Sequence, residues 1–173
     1  PNGQSTRTLL NAGANPPDGV VVHYYLKQEP EDTLKLTFMD SAGQTIRSFY
    51  RSLNPFEKQN MLRTDDPIVP ANAGSNRFIW DMRYPPAREV PGDNTVKQNP
   101  TAPLALPGTY KVELSVGSQT QIETFEIHQD PRVTTSTGDL RSQFELMISI
   151  RDKLSETHDG VNLLRNILRQ INQ

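Results

Sequence analysis

Two stretches of the chain carry large apolar residues on every second position. These are Phe78, Trp80 and Met82 within residues 76–84, and Tyr110, Val112, Leu114 and Val116 within residues 108–116. A period of two puts each set on one face of a strand. Two such faces closing on each other form the interior of a β-sandwich. The same reading predicts a strand over residues 20–26, rich in β-branched and aromatic residues and apolar at nearly every position, as for a strand covered on both sides. Residues 33–40 alternate with Leu34, Leu36 and Phe38 inward, and the turn Ser41-Ala42-Gly43-Gln44 leads to a partner strand over 45–50. Gly117-Ser118 closes a second hairpin into residues 119–128, with Phe125 and Ile127 inward. Ile68 and Val69, between Pro67 and Pro70, suit a short edge strand where missing amide donors are tolerated.

After Asp130-Pro131-Arg132 the period changes. Leu140, Phe144, Met147, Ile150, Leu154, Val161, Leu164, Leu168 and Ile171 follow at spacings of three and four, with a single gap of seven across Thr157. That is a heptad-like stripe on a helix. Ser136 or Thr137 can cap its start, and Asp139 sits in the first turn, where the helix dipole favours an anion. Gly160 costs about 1 kcal/mol relative to alanine, which a long helix survives. The pattern therefore predicts one helix about 50 Å long, the alternative being a break near Gly160 and a helical hairpin. Such a stripe exceeds what one small sandwich can cover, and each large apolar side chain left in water forgoes roughly 1.5–3 kcal/mol. The expectation is that the sandwich covers the first half of the stripe and another helix the second, supplied by a second copy or by flanking sequence.

The 173 residues hold 18 basic and 20 acidic side chains, for a net charge of −2. No basic surplus is present to neutralise phosphates, which argues against nucleic acid as a partner. The chain has no cysteine, so disulfides, thiolate nucleophiles and cysteine metal sites are excluded together. Fourteen prolines and ten glycines suit an all-β chain with long loops. No apolar run approaches the roughly 20 residues of a membrane span. The organisation predicted is a linker over 1–14, an Ig-like antiparallel β-sandwich over 15–133 and a helical extension over 134–173. Long loops over 51–75 and 85–105 are expected to pack against a partner. The start at Pro1-Asn2-Gly3 reads as a piece of a longer protein.

Candidate chemistry is sparse. Trp80 with Tyr84 would make a sugar-stacking pair, but the place of Trp80 between Phe78 and Met82 makes it core. Tyr84, at the strand end beside two prolines, is the better surface aromatic. Tyr110 after Pro107-Gly108 has the position of a tyrosine corner, a structural role. Asp81, Arg83 and Arg77 read as cross-strand pairs on a solvated face. His23, His128 and His158 lie in different elements without metal-ligand spacing, and Asp65-Asp66 alone does not make a calcium loop. No serine or threonine sits in a nucleophile motif. The sequence thus nominates no catalytic residue, no metal and no cofactor. Its candidate interaction surface is Arg83, Tyr84, Leu154, Val161, Leu164, Leu168 and Ile171.

The order Asn76 through Asp81, a loop, then Pro107-Gly108-Thr109-Tyr110 and an alternating strand resembles the Ig-like module of the flagellar hook-capping protein. With Asn15-Pro16-Pro17-Asp18-Gly19-Val20, Asp130-Pro131-Arg132-Val133 and Ile150-Arg151-Asp152-Lys153-Leu154, the chain further resembles the C-terminal region of bacterial sortilin-like proteins. Those are exported β-propellers with BNR-type repeats, often labelled glycosyl hydrolases. The resemblance implies an Ig-like sandwich with a helical extension downstream of a β-propeller, in an exported protein. Taken with the apolar stripe, the expectation is a non-catalytic accessory module that packs on the parent β-propeller or a partner and associates through its C-terminal helix, including as a homodimer through a coiled coil. The resemblance supplies no catalytic residues. The alternative is a carbohydrate-binding module appended to a glycoside hydrolase.

Overall fold

The computed structural model describes residues 16–51, 66–92 and 102–171. It is mainly β, with six antiparallel strands in two sheets followed by one long helix: β1 (Val20–Leu26), β2 (Leu34–Asp40), β3 (Thr45–Tyr50), β4 (Gly74–Trp80), β5 (Gly108–Val116), β6 (Gln119–Ile127) and α1 (Thr137–Ile171). One sheet is the pair β1–β4, in register from Val20 opposite Trp80 to Leu26 opposite Gly74. The other runs in the order β3-β2-β5-β6, with Leu36 opposite Leu114 and Phe38 opposite Val112.

Aromatic rings from the two sheets meet in the middle. Phe38 of β2 stacks on Trp80 of β4 with centroids 4.4 Å apart, Phe49 of β3 lies 4.8 Å from Phe78 of β4, and Phe125 of β6 stands edge-on to Trp80. Trp80, Phe38, Leu34, Leu36 and Val69 are fully enclosed. Burying such side chains is the largest favourable term in the fold. The indole N–H is not orphaned, because Trp80 donates to the carbonyl of Arg83 at 3.2 Å. Tyr110 makes the tyrosine corner, its hydroxyl donating to Leu106 O at 2.6 Å.

Both hairpins form where the turn residues place them. Asp40 accepts from the Gln44 amide through its side chain, and Gly117 has φ 54°, a conformation its missing Cβ permits. A Cβ at Gly117 would also lie 2.6 Å from the Asp32 carboxylate.

Three expectations are corrected. First, β1 is not covered on both sides: its burial alternates, with Val21, His23 and Tyr25 exposed, because only the face bearing Val20, Val22 and Tyr24 turns to the core. Second, Ile68 and Val69 form no strand; the Val69 amide donates to Tyr50 O at 3.1 Å beside β3, and no ladder follows between the two prolines. Third, the Trp80 strand ends at Trp80. Met82 takes φ 57° and Asp81 turns the chain by accepting from the Arg83 amide, so Met82 reaches the core from the turn rather than from the strand. The expected linker over 1–14 and most of the loop over 51–75 lie outside the described residues.

Candidate functional site

Helix α1 runs unbroken through Gly160, as the single long helix predicted, and the alternative of a hairpin does not form. Its 35 residues span about 52 Å at 1.5 Å each. Ser136 caps it, accepting from the Asp139 amide at 3.1 Å while its hydroxyl donates to the Asp139 carboxylate.

The sandwich was expected to cover the first half of this helix. Leu140, Phe144 and Met147 in that half are half-buried, but among the described residues the backbone of no strand lies close against α1. The helix is fastened by a strap, residues 84–91, most of which the sequence predicts as a loop over 85–105 packing against a partner rather than on this helix. At the root, the Arg83 and Leu104 backbones bridge, Tyr84 N–H donates to Pro103 O at 2.9 Å and Ala105 N–H to Met82 O at 2.7 Å. Tyr84 packs on the core and meets the ring of Phe144 at 5.0 Å. Pro85 and Pro86 then hold the chain extended, without the internal hydrogen bonds of a helix through their own nitrogens.

Side chains of α1 take up the strap's carbonyls one after another. Arg151 donates to Pro85 O at 3.4 Å, His158 bonds Arg88 O through Nδ1, Asn162 donates to Glu89 O at 3.1 Å and Arg165 to Pro91 O at 2.9 Å. Ser155, itself buried, accepts the Arg88 amide at 3.1 Å and donates to Arg151 O. Arg88 closes the set by donating from Nε to both oxygens of Asp159, at 2.8 and 3.0 Å. The Arg88 guanidinium holds the Asp159 carboxyl below its usual range, and the carboxylate in turn raises the arginine.

The fit is one of length. Residues 85 to 91 advance about 19–20 Å at roughly 3.1–3.3 Å per extended residue. Residues 151 to 165 rise about 21 Å along the helix. The two therefore stay in step along the whole contact, running in the same direction.

The strap occupies one side of α1 and leaves another bare. Leu146, Ile150, Leu164, Ile167, Leu168 and Ile171 are exposed, from 43 % at Ile167 to 73 % at Ile171. At 100° per residue they fall on one stripe turned away from Ser155, His158 and Asn162. Of the predicted interaction residues, Leu164, Leu168 and Ile171 lie open on it, while Leu154 and Val161 are half-buried at its border. Arg83 and Tyr84 do not join them. Both are half-buried at the strap's root, Arg83 donating to Ala102 O at 2.7 Å and Tyr84 filling the junction with Phe144.

The remaining polar candidates are placed in pairs. Asp81 lies 3.7 Å from Arg47, which also binds Asp66, while His128 lies beside Glu126. The described residues contain no cluster of three or more His, Asp or Glu able to hold a metal, and no helix long and apolar enough to cross a membrane.

No protein-family model, curated protein or solved structure matches the chain.

Proposed function

We propose that the chain is a non-catalytic accessory and interaction module of an exported bacterial β-propeller protein. In this reading the two sheets are an Ig-like β-sandwich, and the strapped helix is an arm whose bare side is the association surface. The export and propeller parts rest on the resemblance of the quoted motifs. The association part rests on one observation, the open aliphatic stripe from Leu146 to Ile171 on a helix whose other side is already occupied. Exposed aliphatic clusters of this kind, Leu146 with Ile150 and Leu164 through Ile171, mark an interaction site. A sugar-binding role is disfavoured, since Trp80 is enclosed and Tyr84 is engaged with Phe144.

The test is side-chain footprinting of the intact natural protein beside the isolated chain. Leu164 and Leu168 should be labelled less in the intact protein or its assembly than in the isolated chain at high dilution. Equal labelling in both at every concentration would overturn the association reading.

A further inference from the structure

We infer that the occupant of the bare stripe is a second copy of this chain, packed antiparallel with the dyad between Thr157 and Gly160. This rests on the association reading above and names its partner.

The area suffices. A large aliphatic side chain buries on the order of 100 Å², so six of them a little over half exposed remove about 350 Å² from each copy and about 700 Å² from two. With apolar atoms near 60 % of an interface, the total is about 1,200 Å², the lower bound for stable, specific association.

The charge pattern selects the orientation. The centre line of the stripe runs through positions 146, 150, 153, 157, 160, 164, 167 and 171, alternating steps of four and three, the spacing of a two-helix seam. Lys153 is its one charge, 75 % exposed and paired within its own chain to Glu156. In a parallel, in-register pair, Lys153 would face Lys153 of the other copy inside the seam, a like-charge contact in a partly dry site. Reversing one helix about position 158.5 instead sets Lys153 opposite Leu164, Ile150 opposite Ile167 and Leu146 opposite Ile171. The two ammonium groups then lie about 16 Å apart along the axis, beyond the screening distance at physiological salt. Thr157 falls opposite Gly160, where a Cβ would meet nothing within 4 Å of its own chain, so the helices can approach closely at the crossing.

Sedimentation of the whole chain with and without charge at Leu164 tests this. The unaltered chain should be a dimer at tens of micromolar. Leu164→Lys, which would face Lys153 of the other copy, should weaken dimerisation at least 100-fold, and Leu164→Glu, facing the same lysine, about 10-fold less than Leu164→Lys. Far-UV circular dichroism confirms that both variants keep the fold. Because the chain has no cysteine, a mixture of Lys153→Cys and Leu164→Cys chains should oxidise to a mixed disulfide while neither alone self-links. Self-linking by Leu164→Cys alone, or equal effects of Lys and Glu, would overturn the orientation. A monomer at all concentrations would overturn the second copy. If Leu164 is nonetheless protected in the intact protein, flanking sequence or another protein covers the stripe and the association reading survives; if it is not, both fail.

Discussion

The ring of Tyr84 meets the ring of Phe144 edge-on, with centroids 5.0 Å apart and planes at 63°. Tyr84 also packs on the core, so it touches both the aromatic interior of the sheets and the helix. Its hydroxyl is shifted upward, chiefly by burial and then by the negative charge of Asp40, against the opposing pull of Arg151. The junction is therefore a packed joint.

Replacing either ring should loosen this joint more than it harms the sheets. Tyr84→Ala is expected to cost about 1.5–3 kcal/mol in urea unfolding, since the side chain is half-buried rather than enclosed. A double-mutant cycle with Phe144→Ala should return a coupling of about 1 kcal/mol. A coupling near zero would mean that the rings touch without holding anything.

Much of the fold is legible in the sequence because alternation is a direct record of one buried face. Leu34, Leu36 and Phe38, and Tyr110 with Phe125, announce their positions this way. The misreading of β1 has a physical cause: β-branched and aromatic residues suit a strand whether or not its second face is covered, so Val21 and Tyr25 carry no sign of their exposure. The strap left no periodic trace, since an extended proline-bearing segment needs no alternation to lie on a helix. Its signal was on the other partner. Arg151, Ser155, His158, Asn162 and Arg165 recur at steps of four, three, four and three, a polar stripe beside the apolar one. A row of donors at that spacing asks for a ladder of acceptors, and residues 85–91 match it in length.

Ser155 tests whether that ladder fastens the strap. Ser155→Ala leaves the Arg88 amide without its hydroxyl partner, a loss of about 1–2 kcal/mol for a part-buried donor. It also improves local helix propensity by roughly 0.5 kcal/mol, so the global loss should be about 0.5–1.5 kcal/mol. The decisive measurement is hydrogen exchange. The Arg88 amide should lose its protection, and helical amides near Asp159 and Asn162 should exchange faster as the strap lifts. An Arg88 amide that exchanges as slowly as before would show the hydroxyl to be dispensable.

Two tyrosines set an alkaline limit. Burial pushes Tyr24 up to about 12, and burial together with nearby Tyr84 and Asp40 pushes Tyr110 up to about 12, from an ordinary value of 10.0. Each hydroxyl donates to a backbone carbonyl, of Pro70 and Leu106 respectively. The folded state holds these protons more tightly than the unfolded chain does, so their stabilisation is complete below pH 10 and is lost as pH rises from 10 to 12. The urea midpoint should stay level up to about pH 9.5 and then fall. In Tyr24→Phe/Tyr110→Phe the neutral-pH midpoint should be lower and the alkaline fall shallower. An unchanged slope would assign the alkaline transition to other groups.

Gly160 separates helix stability from helix pairing. A Cβ there has nothing within 4 Å in its own chain, and the backbone is helical. Gly160→Ala should therefore stabilise α1 by about 1 kcal/mol in dilute, monomeric chain, seen as slower exchange across residues 156–164. At the crossing of an antiparallel pair, however, the added methyl meets Thr157 of the other copy and pushes the axes apart. The same substitution should then weaken dimerisation while strengthening the isolated helix. An improvement in both would place Gly160 outside the seam, because no residue at a close crossing gains from a methyl group in the gap.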